Sequence, residues 1–383
     1  MYPFDYQPTT RIVFGVDKLD ALGELAAELG GQRVLIVTDP GIVAAGHTGR
    51  GRTSLEQAGL EVAVFEGVHV NPTTDDVETG LIFAQTVGPD LIVGLGGGSS
   101  MDCAKAINFL LTNGGRMQDY WGVGRATRPM LPMIAVPTTA GTGSETQSFA
   151  LICDAQTHEK MACGDKKAAF RIALLDPKLT VTQPAQVTAV TGIDAISHAL
   201  ETFVTARRNP LSLVYSREAW RHLAASFPRV LDDPDDLDAR TGMQLGACFA
   251  GLAIENSMLG AAHALANPLT AKYGMIHGQA VGLMLPHVVR FNAQAVASWY
   301  EELLQTTADD GMCPPAAASC EGLADFVTEL VVKAGLKSKL SAAGVTDGDL
   351  PGLAAEAAKQ WTGTFNPRKV TVQELLSLYE AAY

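Results

Sequence analysis

A carboxylate and an imidazole lie four residues apart in an apolar stretch of the chain. Asp194 and His198 occur among the small and apolar residues of segment 192–200, and on a helix this spacing places both side chains on one face. Both can then reach one cation, although a surface ion pair is the commoner arrangement at this spacing. A charged pair among apolar neighbours is costly unless it is internally paired or bound to a metal. The spacing therefore indicates a buried ion pair or two metal ligands.

Two more histidines follow in the same half of the chain. His263 lies among alanines, and His277 directly precedes a glycine. On one straight helix the two would be about 21 Å apart, which is too far for one ion. Pro268 and Gly274 offer breaks between them, so we expect the chain to turn there. A single histidine of this kind is more often a hydrogen-bonded interior residue, but four such residues in one helical region favour metal binding.

A glycine-rich turn follows a strand-length apolar segment, Leu91–Leu95. It consists of Gly96, Gly97, Gly98 and Ser99, with Asp102 and Lys105 at helical spacing beyond it. Glycines let the backbone approach a bulky anion, and free N–H groups at a helix start bind it. The spacing departs from the G-x-G-x-x-G dinucleotide fingerprint, because a serine replaces the third glycine. The segment is therefore either a pyrophosphate-binding turn or a plain strand–helix turn with a serine N-cap.

Two other loops follow predicted strands and carry polar groups. Asp39 comes directly after the segment Arg33–Thr38, where an acid can accept hydrogen bonds from a ribose 2′-OH and repel a 2′-phosphate. This favours NAD over NADP, although a turn or helix N-cap is equally common. The hydroxyl-rich segment 137–145 follows Met133–Val136, and it suits a ligand crevice or a turn with hydroxyl caps. Three such loops after three strands are stronger evidence for a binding site than any one of them.

The elements that must position these residues change in character along the chain. Strand-length apolar segments alternate with helical patterns at first, which predicts a parallel sheet covered on both faces. After residue 184, alanine, leucine and glycine dominate at helical spacing. We therefore expect an α/β domain over residues 1–180 and a nearly all-helical domain over residues 181–383. The predicted helices are Thr53–Ala58, Asp75–Val87, Gln186–Val204, Leu211–Ala225 and Thr241–Ala264, with an extended segment at Tyr6–Phe14 and a surface loop at 306–320.

Bulk composition narrows the classes of partner. Of the 383 residues 47% are apolar and 18% charged, which permits large cores, and the net charge of −13 disfavours nucleic acid and anionic membrane surfaces. No apolar stretch reaches the length of roughly 18 residues typical of a membrane span, and the N-terminus predicts no signal peptide. The six cysteines form no C-x-x-C pair. Reduced thiols in a cytoplasmic protein are the expectation.

Taken together, the motifs resemble the iron-containing (group III) alcohol dehydrogenases over essentially the whole length. The resemblance implies an α/β N-terminal dinucleotide-binding domain with a parallel sheet, an all-α C-terminal metal-binding domain, and an active site in the cleft between them. It implies four metal ligands, which are Asp194, His198, His263 and His277. It also implies a set of cofactor-binding residues, which are Asp39, Asn71, Gly96, Gly97, Gly98, Ser99, Asp102, Thr138, Thr139, Thr142 and Lys160.

The resemblance also implies a reaction, in which a metal-dependent enzyme interconverts a primary alcohol and an aldehyde with NAD. Fe²⁺ is the expected metal and Zn²⁺ the alternative, and a homo-oligomer, a dimer or larger, is expected. Glycerol dehydrogenases, maleylacetate reductases, dehydroquinate synthases and hydroxyacid–oxoacid transhydrogenases share the outline, and a non-catalytic NAD-binding protein is a further alternative. One position departs from the family pattern. Asn267 stands where many members have a histidine proposed to relay protons, so that role is not carried over.

Overall fold

Short apolar strands, most of them buried, form the main sheet. The computed structural model describes residues 3–308 and 319–383. In chain order the strands of these residues are β1 (Arg11–Phe14), β2 (Arg33–Val37), β3 (Glu61–Phe65), β4 (Leu91–Gly96), β5 (Gly122–Val123), β6 (Met133–Pro137), β7 (Phe149–Cys153), β8 (Lys160–Gly164) and β9 (Ile172–Leu175). Six of them form a fully parallel sheet in the order β1-β9-β6-β4-β2-β3. The other three form a small sheet, β5-β8-β7, with one antiparallel pair.

Five helices accompany the strands within the described residues. They are α1 (Leu22–Glu28), α2 (Pro40–Ala44), α3 (His47–Gln57), α4 (Thr74–Val87) and α5 (Gly98–Asn113). Strands β4 and β6 are buried along their whole length, as expected for a parallel sheet with both faces covered. Because β2, β4 and β6 are parallel neighbours, the loops after their carboxyl ends meet at one edge of the sheet.

The remainder of the described chain is helical. The elements are α6 (Ala185–Val204), α7 (Pro210–Asp232), α8 (Leu237–Glu255), α9 (Ala261–Tyr273), α10 (His277–Ala308), α11 (Cys320–Lys333), α12 (Leu350–Ala357) and α13 (Val372–Ala382). Helix α10 is interrupted at Val296, whose backbone is not helical. Large side chains such as Trp220 and Phe227 fill one extensive core. The predicted fold class, a parallel α/β region and an all-α region, is confirmed.

The chain divides into two compact units. The first comprises residues 7–139 and 144–183, and we call it the sheet unit. The second comprises the N-terminal segment up to Tyr6, residues 140–143 and residues 184–383, and we call it the helical unit. The short segment 140–143 thus belongs to the helical unit although it lies between two parts of the sheet unit in sequence.

Several predicted elements differ from the observed ones. The segment Thr241–Ala264 was expected to be one helix, but it is broken between α8 and α9, at residues 256–260. Pro268 was expected to interrupt the chain, yet it lies inside α9. Helix α3 begins at His47, earlier than the predicted Thr53. Most of the loop predicted at 306–320 lies outside the described residues.

Two broader expectations concern membranes and thiols. Within the described ranges, no helix has both the length and the apolar character needed to cross a membrane. The cysteines at 103, 153, 163, 248 and 320 are free thiols, and Cys313 lies outside the described residues.

Close packing between α6 and α7 generates a stability prediction. A Cβ added at Gly192 would overlap the ring of Phe227. Alanine is otherwise favoured in helices by about 1 kcal/mol over glycine, so steric overlap and helix propensity oppose each other. We expect Gly192→Ala to lower the free energy of unfolding by about 1–3 kcal/mol, the usual cost of overpacking, in urea denaturation.

Gly352→Ala is the matched control for this substitution. Gly352 is an exposed residue of α12, and a Cβ there would have no neighbour within 4 Å. We expect this change to raise the free energy of unfolding slightly. Stabilisation by Gly192→Ala of similar size would show that α6 and α7 can separate without cost.

Candidate functional site

Helix α6 holds the first two candidate ligands on one buried face. Asp194 and His198 are separated by one helical turn, and Oδ1 of Asp194 lies 3.4 Å from Nε2 of His198. Both residues are almost fully buried, at 5% and 4% exposure. The pair is therefore an interior feature, and the alternative of a surface ion pair is excluded.

The other two candidate ligands come from the first turns of two successive helices. His263 is the third residue of α9, and His277 is the first residue of α10. Gly274 ends α9 in the left-handed conformation with φ of 61°, so the chain turns there as predicted. The turn brings both rings to Asp194, whose Oδ1 lies 3.6 Å from Nε2 of His263 and 3.7 Å from Nε2 of His277.

The four donor atoms fit a metal ion. Nε2 of His198 also lies 3.2 Å from Nε2 of His263, so His198 adjoins the other candidate ligands through Asp194 and His263. Donors about 2.1 Å from a metal are separated by about 3.0–3.4 Å at bond angles of 90–109°, close to the observed spacings. Asp194, His263 and His277 also form a group with mutual distances within 4.8 Å. Oδ1 of buried Asp194 accepts no hydrogen bond in the described part of the chain, as expected of an atom that faces a cation.

Electrostatics at the cluster agree with this fit. Burial raises the pKa of Asp194. The nearby imidazoles, His198 foremost, lower it by more than burial raises it, so the pKa lies below its ordinary value. Burial lowers the pKa of His198. Burial also opposes a charge on His263, but Glu201 and Asp194 together raise the pKa of His263 to about 9. Carboxylates thus set up a local field that favours positive charge, whether protons or a metal ion supply it.

Glu201 is a site residue that the sequence analysis missed. It is 4% exposed, and its Oε2 accepts a hydrogen bond of 2.6 Å from Nδ1 of His263. Its Oε1 accepts a hydrogen bond of 2.7 Å from the backbone N–H of Ala262. The available signal was its spacing, since Glu201 lies seven residues after Asp194 and three after His198, on the same helix face.

A second group of predicted residues gathers at the carboxyl edge of the main sheet. Gly97 is the N-cap of α5, and among the described residues no side chain caps this helix start, so a serine N-cap is excluded. A Cβ at Gly96, where φ is 150°, would overlap Ser100. The loop therefore requires glycine at position 96. Because no side chain of the described residues caps α5, its first N–H groups are available to an anion. The backbone N–H of Asn71, whose φ is 55°, donates to Oγ of Ser99 at 3.3 Å.

Two side chains beside this loop bear on the cofactor. Oγ1 of Thr138 is buried without a hydrogen-bond partner among the described residues, although Thr138 is only 1% exposed. A buried hydroxyl of this kind favours an absent ligand as its partner. Asp39 is the N-cap of α2, because its Oδ1 accepts from the N–H groups of Gly41 and Ile42. Its Oδ2 accepts from Oγ of Ser100 at 3.2 Å.

Two other predicted cofactor residues, Asp102 and Lys160, have structural partners within the chain. Oδ1 of Asp102 accepts from Oγ of Ser144 at 2.5 Å, and Oδ2 accepts from the N–H of Leu151 at 3.2 Å. Lys160 opens β8 and pairs with Cys153. The remaining residues of the set occupy the same sheet edge or the segment after it: Gly98, Thr139 and Thr142.

Lys105 explains how the segment after Thr142 is held. The amine of this fully buried lysine donates to the carbonyl and the hydroxyl of Ser144, both at 2.8 Å, and to the carbonyl of Phe149 at 2.7 Å. Glu145 lies between Ser144 and Phe149 in the sequence, and it is only 3% exposed. The sequence analysis did not single out this buried carboxyl group, because a single acid in a loop of hydroxyl residues carries no burial signal.

Known proteins resemble this chain over nearly its whole length. A family model described as iron-containing alcohol dehydrogenase matches residues 8–177, and the C-terminal model of that family matches residues 188–383. The 1,3-propanediol dehydrogenase of Klebsiella pneumoniae is 32% identical over 382 residues, 99% of each chain. The NAD-dependent methanol dehydrogenase of Bacillus methanolicus is 32% identical over 370 residues, 97% of each chain. The crystal structure of a 1,3-propanediol oxidoreductase has a TM-score of 0.94 at 33% identity and covers 100% of both chains.

Glu145 generates a pH prediction. Burial raises the pKa of Glu145 from 4.5 to about 7, although its own backbone N–H and Lys105 act in the opposite direction. The folded protein then keeps a proton that the unfolded chain releases between these pH values. The free energy of unfolding should therefore fall as pH rises from 4.5 to 7, by up to about 3 kcal/mol at 1.36 kcal/mol per pKa unit.

Glu145→Gln should remove this decline. We expect the variant to match the wild type near pH 4.5 and to exceed it increasingly up to pH 8, in urea denaturation. The histidines titrate equally in both proteins, so their contribution cancels in the difference. Parallel stability curves across this range would contradict the shifted pKa of Glu145.

Proposed function

Because the chain belongs to the family of iron-containing alcohol dehydrogenases, we propose that it is an NAD-linked oxidoreductase that interconverts a primary alcohol and an aldehyde. The observation that carries this proposal is the cluster of one carboxylate oxygen and three imidazole nitrogens around Asp194. The relatives reported above are dehydrogenases of small alcohols by name. They favour this reaction over the other chemistries of the scaffold and over a non-catalytic role.

In this proposal Asp194, His198, His263 and His277 hold a divalent metal. When bound, such an ion polarises an alcohol or carbonyl oxygen, and the nicotinamide ring exchanges a hydride with the adjoining carbon. The surrounding side chains keep the donor atoms in place. They also exclude water from Asp194, His198 and His263, which are buried. Asn267 binds no proton, and its amide donates to Oε1 of Gln360 at 2.9 Å. Asn267 therefore relays no proton itself.

We propose Fe²⁺ as the metal. Catalytic zinc usually has three protein ligands and keeps a fourth position open. Four protein donors would complete a tetrahedral shell, which favours an ion that accepts five or six ligands. Zinc remains a competitor during purification, since its affinity for such donors exceeds that of iron.

We assign NAD to the sheet unit and the metal to the helical unit. The supporting features are the uncapped start of α5, the unpartnered hydroxyl of Thr138 and the carboxylate of Asp39. The other members of the predicted cofactor set in this unit are Asn71, Gly96, Gly97, Gly98, Ser99, Asp102, Thr139 and Lys160, and the last member, Thr142, lies in segment 140–143 of the helical unit.

We further propose a small primary alcohol or aldehyde as substrate and a homo-oligomer in the cytoplasm as the working form. The names of the relatives support the substrate class. The edge strand β1, with Ile12 and Phe14 partly exposed, supports pairing between copies. The free thiols support a reducing compartment.

The metal proposal makes a direct prediction. Asp194→Ala and His263→Ala should each remove stoichiometric metal and reduce kcat below about 1% of the wild type, because even residues behind a metal ligand are worth 10–100-fold. Metal content is measured by mass spectrometry, and turnover by the absorbance of reduced nicotinamide with short primary alcohols. Metal-stripped wild type should regain more activity with Fe²⁺ than with Zn²⁺.

His222→Ala is the control, since this half-buried histidine lies on α7 against Phe249, away from the cluster. It should retain both metal and turnover. Full turnover by a variant that contains no metal would refute the proposed role of the cluster.

Cofactor choice gives a second prediction. Asp39→Asn keeps the oxygen that caps α2 but removes the charge that repels a 2′-phosphate. The wild type should strongly prefer NAD, and the ratio of kcat/KM for NAD to that for NADP should fall roughly tenfold or more, corresponding to about 1.4 kcal/mol. Asp39→Gly should act similarly, since glycine is tolerated at an N-cap. A wild type that prefers NADP, or an unchanged ratio in Asp39→Asn, would contradict this role of Asp39.

A further inference from the structure

The carboxylate of Glu201 joins α6 to both the backbone and a side chain of the first turn of α9. Its Oε1 accepts from the N–H of Ala262 at 2.7 Å, and its Oε2 accepts from Nδ1 of His263 at 2.6 Å. Each oxygen thus has its own donor. Because a carboxylate is rigid and planar, these two contacts fix the imidazole relative to the helix that bears it.

We propose that Glu201 is the positioning residue of the metal centre, which fixes the ring orientation and tautomer of His263. This inference rests on the proposed function, since it takes His263 as a ligand. A neutral imidazole carries one N–H, and a carboxylate only accepts hydrogen bonds. The proton must therefore lie on Nδ1, which leaves the lone pair of Nε2 directed toward Asp194 and the bound ion. Such a hydrogen bond also makes the ligand more basic.

The start of α9 shows why an acid, and not a neutral cap, occupies this position. Gly260 provides no side-chain cap, and the first N–H groups of the helix are satisfied from elsewhere in the chain. Oδ1 of Asn366 accepts from Ala261 at 3.2 Å, beside the contact of Glu201 with the next residue. A Cβ at Gly260 would lie 3.0 Å from both Asn366 and Glu201, so glycine permits their approach. The helix dipole further stabilises the carboxylate.

Glutamine at this position separates the two contacts. A glutamine side chain has one accepting oxygen and one donating NH₂. If the oxygen faces His263, the NH₂ opposes the N–H of Ala262. If the oxygen faces Ala262, the NH₂ donates to Nδ1, and the proton moves to Nε2, where it blocks metal binding. Either orientation loses one of the two contacts, so the metal must bind against a conflict that the wild type does not have.

The test compares metal affinity with stability in full-length, metal-stripped protein. Dissociation constants for Zn²⁺ and Co²⁺ are measured by competition with a chromophoric chelator, and the visible spectrum of the Co²⁺ protein is recorded. We expect Glu201→Gln to weaken both affinities by about 10–100-fold and to change the Co²⁺ spectrum. Glu201→Asp, which is one methylene shorter and cannot span both donors, is the second variant if Glu201→Gln does not fold.

Asn366→Ala is the matched control, because Asn366 caps the same helix start without a contact to His263. Asn366→Ala should lower the midpoint of thermal unfolding. Both metal dissociation constants should stay within about threefold of the wild type, well short of the 10–100-fold change expected for Glu201→Gln. Equal metal affinity in Glu201→Gln and the wild type would overturn the inference and leave the metal centre intact. A loss in Asn366→Ala as large as that in Glu201→Gln would also overturn it, because helix capping would then be the cause. A wild type that binds no divalent metal would instead overturn the proposed function.

Discussion

The candidate site of the helical unit depends on one constraint: a buried carboxylate oxygen of Asp194 lies close to three imidazole nitrogens. Removing such groups from water costs several kcal/mol for each charge unless partners compensate. Internal hydrogen bonds compensate only in part here, since Oδ1 of Asp194 accepts none among the described residues. A cation bound by Asp194, His198, His263 and His277 would satisfy these donor atoms. The arrangement is therefore understandable as a binding site and costly as a purely structural feature.

In the sheet unit the candidate binding groups belong to the backbone itself, at the glycine loop before α5. Glycine at position 96 is required by its φ of 150° and by the proximity of Ser100. Among the described residues, no side chain caps the N–H groups at the start of α5. Lys105 supplies the rigidity, because its buried amine ties α5 to the carbonyl groups of Ser144 and Phe149. A charged side chain is thus a structural tie here, and the groups available to a ligand are the backbone N–H groups of the glycine loop.

The sequence predicted most of the architecture, and the failures have physical causes. Strands β2, β4 and β6 were found within one residue because continuous apolar segments between turn residues have few alternatives. The break between α8 and α9 was missed, because the apolar residues on both sides of it continue at helical spacing. The signals for it were local, since Asn256 is the C-cap of α8 and Gly260 is the N-cap of α9, and both residue types favour helix ends. Pro268 was expected to break the chain, yet a packed helix tolerates the loss of one hydrogen bond. Glu201 carried a helical spacing signal, but its partner lies 62 residues away.

The precision of the metal cluster comes from how its helices begin. Asp194, His198 and Glu201 lie on one face of a single 20-residue helix, so their relative positions are fixed by helix geometry alone. The other two candidate ligands, His263 and His277, lie in the first turns of their helices, where fraying would otherwise move them. Contacts with α6 prevent this. Glu201 holds the start of α9, and Gly278, just after His277, has no space for a Cβ against the carbonyl of Val190. Helix α6 therefore carries two candidate ligands itself, and its contacts with the starts of α9 and α10 position the other two.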